Sequence, residues 1–308
     1  MTGSTLSVNE AALASSRRAA RFRKNILPWL FMAPLIFFNV LVILGPSFGS
    51  AYYAFTEWSG LGPAKWVGLA NFQRMVTDRV YLMALGNNLR WTAIFLTVPI
   101  SLALFGSALL APIKRFQMVY RVGYFVPYII ASVVNANIWS NLLNPESGIG
   151  VWLAAHGLKF MNVAFFGNVH TVLYSIAFVD NWHWWGFLVV LYLAAMQAID
   201  RELYEVGILE GATRWQEWRY ITFPGIRATF VFTVLMTVIW SFLVFDYVYI
   251  LTQGGPAHAS EVLATEVYNA AFFRFDVGYA AAVGLSMSFF AAIVVTGYLI
   301  LKGRGWEI

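Results

Sequence analysis

Cysteine is absent from this chain, and charge is scarce: Asp, Glu, Lys and Arg make up 11% of its 308 residues. Without cysteine there is no disulfide framework and no thiolate metal site. A soluble domain carries about 25% charged residues, so a chain this poor in charge cannot wet a globule. Disorder is excluded from the other side, because 60% of the residues are hydrophobic and disordered segments are those that lack apolar surface to bury. Histidine is also rare. His156, His170, His183 and His258 fall on different loops and depths, so a clustered metal or general-base set, and with it a membrane-embedded enzyme, is not expected. What the chain does have is a mean hydropathy of +0.66 and a pI near 9.4. The net charge of +5 suggests a nucleic-acid partner until the positions of the basic residues are considered.

Charges are sparse enough for the intervals between them to be measured against the ~20 apolar residues that cross a bilayer as a helix. There are 32 uncharged residues between Lys24 and Glu57, 23 between Arg90 and Lys114, 24 between Arg121 and Glu146, and 25 between Asp276 and Lys302. Two further runs are each interrupted once, 160–199 by Asp180 and 228–260 by Asp246. The expectation is an all-α bundle with six transmembrane helices, at roughly 28–55, 89–111, 122–144, 169–198, 228–252 and 278–301. Lys and Arg accumulate on the cytoplasmic side. With both termini inside, 14 basic residues lie inside and 6 outside. A seventh helix, made by splitting 160–199, would destroy that asymmetry. The basic pI therefore reports orientation, and no nucleic-acid partner is expected. The apolar run after Arg17, Arg18, Arg21, Arg23 and Lys24 is too long for a signal-peptide core and reads as a retained first helix, kinked at Pro34, Gly45, Pro46 and Gly49. The chain divides into an amino-terminal cytoplasmic tail at 1–27, a transmembrane domain at 28–302 and a short carboxy-terminal tail at 303–308.

The loop at 198–228 holds the densest mixture of acids and bases. It reads as a helix to about Leu209, a break at Gly211 and a second helix opening at Thr213 and closing before Pro224. Gly211 suits the left-handed residue that ends a helix, and Thr213 with Gln216 matches a capping box. On composition alone it could equally be an amphipathic helix lying on the membrane with Trp215 and Trp218 at headgroup level. Its ordered elements are Glu205-Val206-Gly207, then Glu210-Gly211-Ala212, then Phe223-Pro224. They resemble the cytoplasmic signature of ATP-binding-cassette (ABC) importer permeases, with Val206 and Gly207 in place of alanines, Glu210 in place of aspartate and Phe223 in place of leucine. Four other segments are similar to the carbohydrate-uptake branch of that family, the permeases like the maltose-type first subunit: Val67–Phe72, Phe125–Tyr128, Leu251–Pro256 and Gly278–Ala282.

The resemblance implies the type I importer permease fold in a bacterial or archaeal plasma or inner membrane. It further implies a second homologous permease subunit, two ATPase subunits and an external or periplasmic solute-binding protein. It places the ATPase contact on Glu205, Gly207, Glu210, Gly211, Ala212, Trp215 and Pro224. The chain carries no phosphate-binding loop of its own, since its five lysines are followed by Asn25, Trp66, Arg115, Phe160 and Gly303, never by the Ser or Thr such a loop needs. ATP and Mg are accordingly expected on the partner ATPases, with no cofactor or metal in this chain. An ion-coupled secondary transporter working through Asp180 and Asp246 is the alternative, although the first half shows no repeat of the 198–228 loop.

A sugar presents hydroxyls and flat C–H faces, which suit amides, acids and hydroxyls beside aromatic plates. That mixture occurs at Asn135, Asn137 and Trp139, at Trp182, His183, Trp184, Trp185 and Phe187, and at Trp240, Ser241, Phe245, Asp246 and Tyr247. Asn135, Asn137, Trp182, His183, Trp185, Phe187, Trp240, Ser241 and Asp246 are the substrate-path candidates. At 1.5 Å per residue, Trp240 lies roughly 20 Å from Arg227 and Asn135 roughly 21 Å from Arg121, in the outer half of the bilayer. Two plainer roles stand beside this one: the tryptophans as an interfacial belt and the asparagines as bonds between helices. Gly254, Gly255 and Pro256 are expected to form an outer docking or gating turn.

Overall fold

The computed structural model describes residues 24–303 apart from 26, 114 and 159–161. Both tails, with Arg17, Arg18, Arg21, Arg23 and Arg304, lie outside the described residues, as do Lys114 and Lys159. Two units emerge, one ending at Tyr53 and the other beginning at Ala54.

The first unit is one helix, α1 (Leu27–Tyr53). Its sequence is apolar on every side, as suits a helix surrounded by lipid or by other helices. Of the expected irregularities, the one near Gly45 and Pro46 takes the form of a π turn at Val40–Leu44, where the Gly45 N–H reaches the Val40 carbonyl.

The second unit opens on a two-residue antiparallel ladder, β1 (Thr56–Glu57) with β2 (Lys65–Trp66), pairing Thr56 with Trp66. Helix α2 (Ala70–Thr77) follows, then α3 (Arg79–Leu110), started by Asp78, whose carboxylate accepts from the Val80 N–H at 2.8 Å. At 32 residues α3 is about 48 Å long, longer than a ~30 Å hydrocarbon core, and it begins ten residues before the expected span. The third expected span is not continuous. It divides into α4 (Gln117–Ile129) and α5 (Ser132–Leu142), which meet at 93°. Pro127 lies in the last turn of α4, and Ile130 and Ala131 are extended with ψ near 127 and 138°, so helical bonding cannot pass through. The straight-helix estimate that put Asn135 21 Å from Arg121 fails for the same reason.

After α6 (Ile149–Ala155) comes α7 (Val172–Gln197), unbroken at Asp180. Helix α8 (Arg201–Leu209) leaves it at 73°, and α9 (Arg214–Glu217) runs through a π turn at Trp218–Thr222 into a helical turn at Phe223–Gly225. The backbone thus stays helical past Pro224, where the sequence predicted it would stop. Phe223 N–H bonds the Trp218 carbonyl and Ile226 N–H the Thr222 carbonyl. This change from i+5 to i+4 bonding covers the position where proline has no N–H to donate. Helices α10 (Arg227–Leu243) and α11 (Asp246–Thr252) form one span with a break at Val244 and Phe245. Helix α12 (Leu263–Tyr268) and the long α13 (Val277–Gly303) complete the unit. Among the described residues four helices are long and apolar enough to cross a membrane, or six if each bent pair is one span.

Packing centres on α3 and α7, where Trp91, Phe95, Ile100 and Ala103 are buried among Ile176, Leu188, Tyr192 and Leu193. Gly186 brings α7 against α4 so closely that a Cβ there would overlap the Tyr124 carbonyl. Tyr192 ties α7 to α10 through the Thr233 hydroxyl at 2.5 Å. A second cluster joins α2, α3, α10, α12 and α13 through Met75, Tyr81, Phe242, Leu263, Tyr279 and Val283.

Candidate functional site

The 198–228 segment forms a rigid knuckle because each of its helix ends is chemically closed. Asp200 caps α8, accepting from the Glu202 N–H at 3.2 Å. At the other end Gly211 has φ +75°, a conformation open to glycine and costly to residues with a Cβ. Its N–H bonds the Ile208 carbonyl at 3.1 Å, and the Ala212 N–H bonds the Gly207 carbonyl at 2.9 Å. Together these two bonds are the Schellman pattern, which satisfies carbonyls left over at a helix end. Thr213 then opens α9 with a full capping box: its N–H reaches Gln216 Oε1 at 2.7 Å and its Oγ1 accepts from the Gln216 N–H at 3.4 Å.

The knuckle has two faces. Glu205 pairs with Arg201 at 3.2 Å on the exposed face, where Val206, Ile208, Leu209 and Trp215 also project, Trp215 being 68% exposed. Gly207 is half-buried against Ile221, and Tyr204 bonds the Thr222 hydroxyl at 2.9 Å. An aromatic ladder joins the knuckle to α10. Trp215 stacks on Trp218 at 5.3 Å, Trp218 meets Phe223 at 5.4 Å, and Phe223 meets Phe230 at 5.4 Å.

A cavity of about 530 Å³ lies where two helices break, lined by residues 128–132 of the α4–α5 corner and 243–247 of the α10–α11 break, with Asp180, His183, Trp184 and Trp240. Irregular backbone at membrane depth is tolerated where it lines such a cavity. Of the sequence candidates, His183, Trp240 and Asp246 line it. The Asp246 carboxylate accepts from the Ser132 hydroxyl at 3.0 Å. Aromatic rings surround the space: Tyr128 lies 5.3 Å from His183 and stacks on Phe187 at 4.6 Å, and Trp184 is 4.4 Å from Trp240. Ser241 lines a smaller cavity of about 50 Å³ that shares Asp180, Trp184 and Trp240 with the larger one.

The other candidates sit elsewhere. Asn135 is fully buried and donates to the Tyr247 hydroxyl at 2.9 Å, bonding α5 to α11. Asn137 bonds the Val133 carbonyl of its own helix at 2.8 Å. Trp182 packs on Trp139 at 5.6 Å and Trp185 on Tyr124 at 5.1 Å. Tyr128, Asp180 and Thr237 line the two cavities without having been singled out for that role. Pro127 was the available signal for Tyr128, and an acid alone in an apolar run was the signal for Asp180.

The turn at Gly254, Gly255 and Pro256 is tightly bonded. Gly255 N–H reaches the Thr252 carbonyl at 2.9 Å, and Ser260 binds the Gly255 carbonyl through its hydroxyl at 2.6 Å. Glu261 is buried beneath this turn, accepting from Asn269 at 3.2 Å and meeting His258 Nδ1 at 2.9 Å. Beyond it Arg274 pairs with the buried Glu266. Burial raises the Glu266 carboxyl above its ordinary value despite that arginine. For Asp78 burial also acts upward, but the Tyr279 hydroxyl at 2.7 Å, the backbone N–H groups of Val80 and Tyr81 and the charge of Arg274 outweigh it and hold the carboxyl below its ordinary value. Among the described residues no group of three or more His, Asp or Glu side chains could hold a metal ion.

A helical membrane protein with a solute-sized cavity at two broken helices and a rigid helical knuckle has the parts of a transporter subunit. The comparisons with known proteins narrow that class. A protein of Bacillus subtilis (strain 168) named "Probable ABC transporter permease protein YurN" is 34% identical over 85% of this chain and 90% of its own length. The diacetylchitobiose uptake system permease of Streptomyces coelicolor is 31% identical over 85% of this chain and 78% of its own. The lactose transport system permease of Rhizobium radiobacter is 26% identical over 91% and 95%. A crystal structure of a bacterial ABC transporter that imports the acidic polysaccharide alginate superimposes with a TM-score of 0.83 at 22% identity, covering 94% of this chain and all of the matched one. No family model matches the sequence. The chain belongs to the permease subunits of ABC transporters. It is a multi-pass protein of the plasma or inner membrane and the transmembrane component of its transporter, not the ATPase. That membership sets aside the ion-coupled alternative.

Proposed function

We propose that this permease translocates a carbohydrate delivered by an external solute-binding protein. A homologous second permease subunit and two ATPase subunits, which carry ATP and Mg, would complete the importer. The observation that carries the reading is the knuckle. Closed at both ends by capping bonds and joined to α10 by stacked aromatic rings, it moves as a body, whereas a flexible loop would absorb the displacement of a partner. In this reading Glu205, Gly207, Glu210, Gly211, Ala212, Trp215 and Pro224 form the ATPase contact on the cytoplasmic face, with both termini on that side. The aromatic cavity with His183, Trp240 and Asp246 receives the solute. Ser241 serves its smaller neighbour, and Asn135, Trp182, Trp185 and Phe187 support the walls from behind. The turn at Gly254–Pro256 faces the binding protein. Relatives named for diacetylchitobiose and lactose support a carbohydrate. An alginate transporter solved in complex with a substrate-bound periplasmic protein, 20% identical with a TM-score of 0.81, supports a soluble receptor.

The absence of cysteine makes the test clean. An Ile208→Cys variant carries a single thiol on the exposed face of the knuckle. It is expected to react with an impermeant maleimide only in inverted vesicles and to cross-link to the ATPase in the assembled importer. Labelling in right-side-out vesicles would overturn the orientation, and loss of the cross-link with the complex intact would overturn the contact.

A further inference from the structure

The smaller cavity contains an unsatisfied group. Thr237, 2% exposed, lines it, and its hydroxyl has no hydrogen-bond partner. A buried hydroxyl gains by bonding, so the Thr237 hydroxyl is a polar group available to whatever enters the cavity. The neighbouring groups define what that is. Asp180 offers a carboxyl group with an oxygen able to accept, and Ser241 already donates to the Thr237 carbonyl at 2.7 Å, which leaves its lone pairs free to accept. Trp91 and Phe95, stacked at 5.2 Å, and the rings of Trp184 and Trp240 close the remaining sides. About 50 Å³ exceeds the ~10–15 Å³ that one water needs and is far too small for a sugar ring. Apolar walls with one donor and two acceptors suit a single CH₂OH group, whose methylene faces the rings and whose hydroxyl both donates and accepts.

We propose that this cavity is a dead-end subsite for the hydroxymethyl group of a neutral hexose unit whose ring occupies the larger cavity. The proposal rests on the carbohydrate reading above and sharpens it. The sugar hydroxyl donates to Asp180 and accepts from Thr237. A pentose unit leaves Thr237 unpaired. A uronic acid unit brings a carboxylate beside the Asp180 carboxyl, and neither cavity is lined by Lys or Arg to neutralise it.

Saturation-transfer NMR on the purified importer tests this with methyl glucoside, methyl xyloside and methyl glucuronide, which differ at the C6 position alone. The glucoside should bind about tenfold more tightly than the xyloside and take up saturation most strongly at its C6 protons, and the glucuronide should fail to compete with it. Thr237→Val keeps the side-chain shape. It should weaken the glucoside about threefold to tenfold, the range of one hydrogen bond, and leave the xyloside unchanged. Asp180→Asn should admit the glucuronide. Equal binding of glucoside and xyloside, or a Thr237→Val loss common to both, would overturn the subsite. Failure of all three sugars to bind would instead overturn the carbohydrate reading of the cavity.

Discussion

Gly211 is the most exposed weak point of the knuckle, and its replacement has a calculable effect. A Cβ placed there would meet no atom within 4 Å, so crowding contributes nothing and the cost is that of φ +75° alone. An L-residue in the left-handed region costs about 1–2 kcal/mol, or a shift of about 5–30-fold in a two-state balance. Gly211→Ala is therefore expected to loosen the Schellman bonds from Gly211 and Ala212 and to populate knuckles without a fixed angle between α8 and α9. The spans and cavity remain intact. In proteoliposomes containing the full importer, solute moved per ATP hydrolysed should fall, by at most about that factor. Gly211→Val should fall further, because a β-branched residue tolerates this region least. Gly211→Asn, which accepts the left-handed region more readily, should recover most of the loss. Equal damage by Ala and Asn, or normal uptake by the Val variant, would refute the reasoning.

Two further outcomes follow from the packing and the charges. Gly186→Ala forces a methyl against the Tyr124 carbonyl; overpacking of this kind costs about 1–3 kcal/mol and here acts on backbone, so a lowered Tm in detergent is expected, and an unchanged Tm would contradict the α4–α7 contact. Asp78→Ala removes the cap of α3 and the acceptor for Tyr279 at about 1 kcal/mol. Because the folded carboxyl is held below its ordinary value, its contribution is full above that ordinary value and disappears as pH falls through the lowered one. The Tm gap between wild type and variant should therefore be full at neutral pH and close in acid, and a gap independent of pH would contradict it.

How much of this was legible in the sequence depends on the range of the force involved. The long apolar helices were, because scarcity of charge is written residue by residue: Asp276 and Lys302 bracket α13, and Arg227 opens α10. The knuckle was too, since the left-handed Gly211 and the Thr213–Gln216 box are local backbone chemistry. The breaks were harder. Pro127 stood in plain view, yet a 93° corner at Ile130 and Ala131 depends on α5 packing on α7 and α11 through Asn135 and Trp139. The break at Val244 and Phe245 has no proline to announce it. Membership of the two cavities was least legible, because Tyr128, Asp180 and Thr237 come from three helices and meet by tertiary packing alone. The pairing of Asn135 with the Tyr247 hydroxyl shows the same limit, since an asparagine that binds sugar and one that bonds a helix look alike in sequence.

The claim at the centre of this account is that the chain is a passive gate worked by a separate motor through its knuckle. Solute accumulation in proteoliposomes, with the binding protein outside and ATP inside, tests it most directly. Accumulation should require enclosed ATP, persist in the presence of a protonophore and collapse in Gly211→Val while ATP hydrolysis continues. Accumulation that survives without ATP and disappears with the protonophore would contradict it.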